Sequence, residues 1–199
     1  VLNLALAALF LQAPGRPLYY WGARPATLVT STEGTEGTEA RVTEVHGVVD
    51  GGELVLKVTF DRPVQDVLYL PSGAPVSGRL RATLYVDGDA DRQTGWAAGP
   101  GDARAGADYR VDLGVLALGA DPAEGIAAQS LVTVSAVALT EQGRQRIAWR
   151  GDHAATPDRV SLRGDAVEMR LPADAVDVSL TARLVMIDED EVYEGRLRP

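Results

Sequence analysis

From residue 41 onward, apolar and polar positions alternate with a period of two. That is the repeat of a β-strand with one buried face. In Glu53–Phe60, Leu54, Leu56, Val58 and Phe60 share one face, and Val55, Lys57 and Thr59 the other. Arg41–Val49 precedes it through Asp50-Gly51-Gly52, which is hairpin chemistry. Leu80, Ala82, Leu84 and Val86 alternate with Arg79, Arg81, Thr83 and Tyr85; Tyr109, Val111, Leu113 and Val115 alternate with Arg110, Asp112 and Gly114. Further strands are expected over Leu131–Leu139, Arg144–Trp149, Arg159–Leu162, Ala166–Leu171 and Ser179–Ile187.

A helical apolar stripe of ten or more residues is absent, and only Asp121–Glu124 and Pro172–Val176 read as short helical turns. About nine or ten strands spaced near ten residues apart, with Gly- and Pro-rich joints, predict an all-β fold. The expected architecture is an antiparallel, jelly-roll-like β-sandwich over residues 40–190, with a closed barrel as the rival.

The two ends read differently. Residues 1–13 form an uncharged apolar run, shorter than the roughly 20 residues a membrane span needs. It has the length of the apolar core of a secretory signal, although no basic residues precede it. Residues 1–26 are therefore expected to be a signal peptide or an apolar N-terminal arm. Residues 30–39 repeat Gly-Thr-Glu without an apolar side chain, so 27–39 reads as a flexible acidic linker. Residues 191–199 read as a solvated tail. The expected address is exported, periplasmic or extracellular.

Charge narrows the partners. Nineteen Lys and Arg against 28 Asp and Glu leave a net charge of −9, which argues against nucleic acid and against anionic lipid. The chain has no cysteine and two histidines, excluding thiolate metal sites, disulfides and cysteine nucleophiles. Neither a Gly-x-Ser-x-Gly elbow, a phosphate-binding glycine loop nor a His-Glu-x-x-His helix occurs. The reading is non-catalytic.

One stretch carries chemistry. Between the strands ending near Val86 and beginning near Tyr109 lies a loop of about 20 residues, and structureless loops of that length are usually functional or disordered. It holds Asp87, Asp89, Asp91, Asp102 and Asp108 against Arg92 and Arg104. Carboxylates so close repel one another unless a cation or hydrogen-bond donors intervene. Asp87, Asp89 and Asp91 at alternate positions, with Asp108 closing the loop, suit calcium, a hard ion that takes six to eight oxygen ligands. An EF-hand is excluded, because Arg92 and Ala98 stand where that loop needs Gly and Glu. The alternative is a metal-free turn in which the aspartates cap their own backbone.

The run Leu84-Tyr85-Val86-Asp87-Gly88-Asp89, then Thr94-Gly95, then Gly106-Ala107-Asp108-Tyr109-Arg110-Val111 resembles a pattern in secreted bacterial β-sandwich domains. These are the DOMON-like group, which includes the family 9 carbohydrate-binding modules. The resemblance spans about residues 42–187, and its sharp part is Leu84–Val111. It implies the sandwich fold and leaves function open, since the group includes sugar binders and haem binders. A haem would need axial ligands, and His46, His153, Met169 and Met186 read as strand, loop and core residues. A sugar would stack on an exposed aromatic. Trp96 in the acidic loop and Trp149 on a strand are the ligand-binding candidates, each against a packing role. An extracellular polysaccharide or envelope component is the expected partner.

Overall fold

The computed structural model describes residues 17–21, 26–29, 39–70, 74–76, 78–119, 128–188 and 191–197. The strands are β1 (Ala26–Val29), β2 (Val42–Asp50), β3 (Glu53–Phe60), β4 (Ala82–Asp87), β5 (Tyr109–Leu118), β6 (Gln129–Leu139), β7 (Gln145–Asp152), β8 (Val160–Arg163), β9 (Ala166–Leu171), β10 (Arg183–Asp188) and β11 (Glu191–Arg196). One five-residue helix, α1 (Val64–Leu68), lies between β3 and β4. The strands form two antiparallel sheets, ordered β1-β2-β3-β9-β8 and β11-β10-β4-β5-β6-β7. The protein is an all-β sandwich.

Alternation explains the layering. Leu54, Leu56, Val58 and Phe60 of β3 and Val167, Met169 and Leu171 of β9 are buried inward from the first sheet. Leu84 and Val86, Val111 and Leu113, and Val132, Val134 and Ala136 face them from the second. All belong to one apolar cluster, and each large side chain so buried contributes roughly 1.5–3 kcal/mol. Because the period is two, a one-residue slip would turn a whole inner row to solvent.

Helix α1 buries Val64, Val67 and Leu68, the i, i+3, i+4 spacing of one helix face. The Val64 N–H donates to the Gly164 carbonyl in the β8–β9 turn, and the Leu68 carbonyl accepts the Ser130 hydroxyl at the start of β6. The helix thus bridges the two sheets. Five residues are too few for a helical period to stand out in the sequence.

Three boundaries differ from the expectation. Ala26–Val29 pairs with β2, so the stretch expected as linker from residue 27 begins with strand. Glu191–Arg196 pairs along its whole length with β10, so the acidic end expected as tail is an edge strand; its two adjacent apolar residues, Val192 and Tyr193, show no alternation to set against the charge. Residues 17–21 pack on the outer face of the first sheet. The expected signal run 1–13, the remainder of the linker over 30–38 and the turn at Asp121–Glu124 lie outside the described residues. Pro172–Val176 does form a turn, with the Pro172 carbonyl accepting from the N–H groups of Ala175 and Val176. Among the described residues no helix is long and apolar enough to cross a membrane.

Candidate metal site

The loop from Gly88 to Asp108 folds back over the outer face of the six-stranded sheet, at the end where β4 and β10 pair. Val86 faces inward, so Asp87 and its cross-strand partner Arg183 face outward, yet both are only 1% exposed. The loop covers them. Arg183 anchors it, donating to the carbonyls of Ala103 and Ala105 and from Nε to Asp87 Oδ2 at 3.0 Å. Every nitrogen of the guanidinium is engaged, as burying it requires.

Backbone pairing sets the rest of the loop. The Trp96 N–H donates to the Ala107 carbonyl, the Gly106 N–H returns to the Trp96 carbonyl, and the Asp108 N–H reaches Val86. The two halves approach so closely that a Cβ on Gly106 (φ +86°) would lie 2.5 Å from Arg92 Cα. Only glycine accepts both that φ and that contact.

This folding brings together Asp87, Asp89 and Asp108, with one carboxylate oxygen from each lying within 4.8 Å of the others. Ligands bound to calcium at 2.3–2.6 Å are spaced within that reach. Asp87 is buried, Asp108 half-buried and Asp89 exposed. Asp108 Oδ2 accepts the Gly88 N–H at 2.8 Å. Asp89 Oδ1 accepts the Asp91 N–H at 2.9 Å, and the Thr94 hydroxyl lies within 3.1 Å of both Asp89 oxygens. Asp87 Oδ1 is buried without a hydrogen-bond partner among the described residues.

Burial pushes the Asp87 carboxyl up, the Arg183 guanidinium opposes this, and the Asp89 carboxylate adds to the rise. Burial also raises Asp108, reinforced by the charges of Asp89 and Asp87 against the relief of the Gly88 N–H. Asp89 is lowered, chiefly by the Asp91 N–H and also by Thr94. Three carboxylates against one fixed guanidinium leave −2 in the pocket, the charge that one divalent ion neutralises.

Asp91, the fourth ligand candidate, is not in the cluster. It is exposed, and its Oδ1 caps the Gln93 N–H at 2.9 Å in an Asx-turn. The alternate spacing suggested three converging carboxylates, but Ala90 takes a left-handed φ of 60°, which breaks the run after Asp89. Arg183 was invisible to a reading of the loop alone, being 96 residues from Asp87. The signal available in sequence was an arginine followed by four apolar residues, Leu184–Ile187.

Trp96 is half-buried, its ring 6.0 Å from the Tyr85 ring at 28°, with the Arg104 guanidinium 4.7 Å from its centroid. Arg104 is fixed in turn by Asp102 at 2.6 Å, which raises its pKa. Trp149 faces inward opposite Ala136, packs against the core and sits where a Cβ on Gly151 would meet its ring at 2.6 Å. His153 is held at the edge, its Nδ1 accepting the Val132 N–H at 3.0 Å. No family model, no curated protein and no solved structure matches this chain.

Proposed function

We propose that this chain is a non-catalytic, exported β-sandwich module of the DOMON-like kind, acting in binding or structure, whose β4–β5 loop is stapled by a calcium ion at Asp87, Asp89 and Asp108. The observation that carries the reading is a buried Asp87 Oδ1 with no hydrogen-bond partner among the described residues, on a carboxylate that clusters with two others. A buried acceptor left unmatched costs about 1–3 kcal/mol, more when charged, and a divalent ion would remove that cost for all three groups together. Of the two readings of the aspartates, backbone capping accounts for contacts of Asp89, Asp91 and Asp108 and leaves Asp87 Oδ1 without a donor.

The ion would act by mass action. At a hundredfold excess over its dissociation constant it stabilises by about 2.7 kcal/mol, which in a domain of 150–250 residues raises Tm by roughly 5–10 °C. The test is thermal unfolding with millimolar calcium and with chelator, in the wild type and in Asp89→Ala. The wild type gains several degrees and the variant none. An equal shift in both would remove the ion from this site.

An extracellular polysaccharide is the second reading for the partner. It is favoured by the half-exposed indole of Trp96, braced by Tyr85 of β4 and by Arg104 of the same loop, since a rigid ring is what sugar stacking uses. Retardation on polysaccharide affinity gels, lost in Trp96→Ala, checks it. Trp149, packed on the core, is the weaker platform.

A further inference from the structure

Each of the three clustered aspartates leads, through hydrogen bonds, to the aromatic platform carried by the same loop. Asp89 is bound by the Thr94 hydroxyl, 3.1 and 3.0 Å from its two oxygens, and Thr94 stands two residues before Trp96. Asp108 follows Ala107, whose carbonyl accepts the Trp96 N–H at 2.8 Å, while the Gly106 N–H returns to the Trp96 carbonyl at 3.1 Å. Asp87 holds Arg183, and that guanidinium donates to the carbonyls of Ala103 and Ala105, the two neighbours of Arg104. Arg104 completes the platform, 4.7 Å from the Trp96 centroid and 5.7 Å from that of Tyr85. Tyr85 lies two residues before Asp87 on β4, on the same outer face of the strand.

The routes are stiff where they cross. A Cβ on Gly95 (φ +65°) would lie 2.7 Å from the carbonyl oxygens of both Gly106 and Ala107. Backbone therefore rests on backbone beside Trp96, with no flexible side chain between the two segments to absorb a displacement. An ion shared by the three carboxylates draws the exposed Asp89 toward Asp87 and Asp108, and it competes with Thr94 for the Asp89 oxygens. Both effects reach Trp96 within two residues. We infer that calcium at Asp87, Asp89 and Asp108 sets the pose of the Trp96 indole, so that ligand binding on the Tyr85–Trp96–Arg104 platform is under calcium control. This inference rests on the calcium reading of the cluster, and no residue of the platform is itself a ligand of the ion. The coupling is reciprocal by linkage: a ligand that prefers the calcium-held pose tightens calcium binding by the factor by which calcium tightens its own.

The chain has three tryptophans, which makes the platform separately observable. The full chain labelled with 5-fluorotryptophan gives three fluorine resonances, and Trp96→Phe identifies that of Trp96. Trp21 is held on the other sheet by Glu168 and Trp149 packs on the core, so both serve as internal references. Titration with calcium chloride, followed in parallel by calorimetry, is expected to move the Trp96 resonance in step with binding and to leave the other two in place. Asp108→Asn is expected to abolish both the heat and the movement. Thr94→Val keeps every carboxylate and removes one route, so it is expected to bind one ion and to move the Trp96 resonance less. One ion bound with the Trp96 resonance unmoved overturns the coupling and leaves the metal site standing. Neither heat nor movement in the wild type removes the metal site, and the coupling with it. A movement as large in Asp108→Asn as in the wild type places the ion elsewhere and overturns the coupling too. If Asp108→Asn does not fold, which collapse of the three resonances reveals, Asp89→Ala at the exposed ligand takes its place.

Discussion

Arg183 donates from Nε to Asp87 Oδ2 at 3.0 Å across neighbouring strands, with both side chains withdrawn from water. This pair joins the aspartate cluster to the rest of the fold. Asp87 gives Oδ2 to the guanidinium, keeps a buried Oδ1 without a hydrogen-bond partner among the described residues, and clusters with Asp89 and Asp108. Arg183 in turn holds the carbonyls of Ala103 and Ala105. Removing one partner of a buried pair leaves an uncompensated charge and costs about 3–5 kcal/mol. Arg183→Met is accordingly expected to lower the unfolding free energy in urea by that amount, and a loss below about 1 kcal/mol, the range of exposed ion pairs, would contradict the role assigned to Arg183.

The raised carboxyls give the metal-free protein a definite pH response. Below the ordinary Asp value of 3.8, folded and unfolded chains both hold the protons of Asp87 and Asp108. As pH rises above 3.8 the unfolded chain releases them first, so the contribution to stability falls until the folded groups have ionised as well. Without calcium, wild-type stability relative to Asp108→Asn therefore declines as pH rises through this window. Saturating calcium, taking the place of the protons, flattens the decline, and unfolding curves from pH 3.5 to 7 in both conditions read it directly.

His153 responds with the opposite sign. Its Nδ1 accepts the Val132 N–H, and burial lowers its pKa below 6.5. Above 6.5 the ring is neutral in both states and the contribution is complete. As pH falls through 6.5 toward the lowered value, the unfolded chain takes up the proton and stability is lost. The difference in unfolding free energy between the wild type and His153→Ala should shrink from pH 7.5 to 5.5. A difference constant over that range would mean that the ring titrates normally.

Gly88 marks a second close approach. A Cβ there would lie 2.5 Å from the Asp177 carbonyl oxygen, and the Gly88 carbonyl accepts the Ser179 N–H at 2.8 Å. Gly88→Ala has to separate the loop from the segment before β10, which should cost about 1–3 kcal/mol by the usual scale of overpacking. It should also weaken calcium binding, because the Gly88 N–H orients Asp108. Thermal unfolding with and without calcium separates the two effects.

The architecture was legible because its information is local and periodic. Glu53–Phe60 and Ala166–Leu171 were expected with the bounds they have, since alternation reports a half-buried strand directly. The long loop was legible from its charge, and two of the three clustered aspartates sit next to the strands that flank it. What stayed hidden depends on distant partners. Arg183 looks like any strand arginine until β10 is paired with β4. Trp21 and Leu18 find their carboxylate on β9, across the chain from them. Asp91 was expected among the ligands because spacing alone does not register the turn at Ala90. Glu191–Arg196 needed β10 beside it to become a strand.

The most direct test of the central claim is a calorimetric titration of the full chain with calcium near neutral pH, beside the same titration of Asp108→Asn. One ion per chain, with the binding heat lost in the variant, is the predicted result. The absence of binding in the wild type, or equal binding in both proteins, would contradict it.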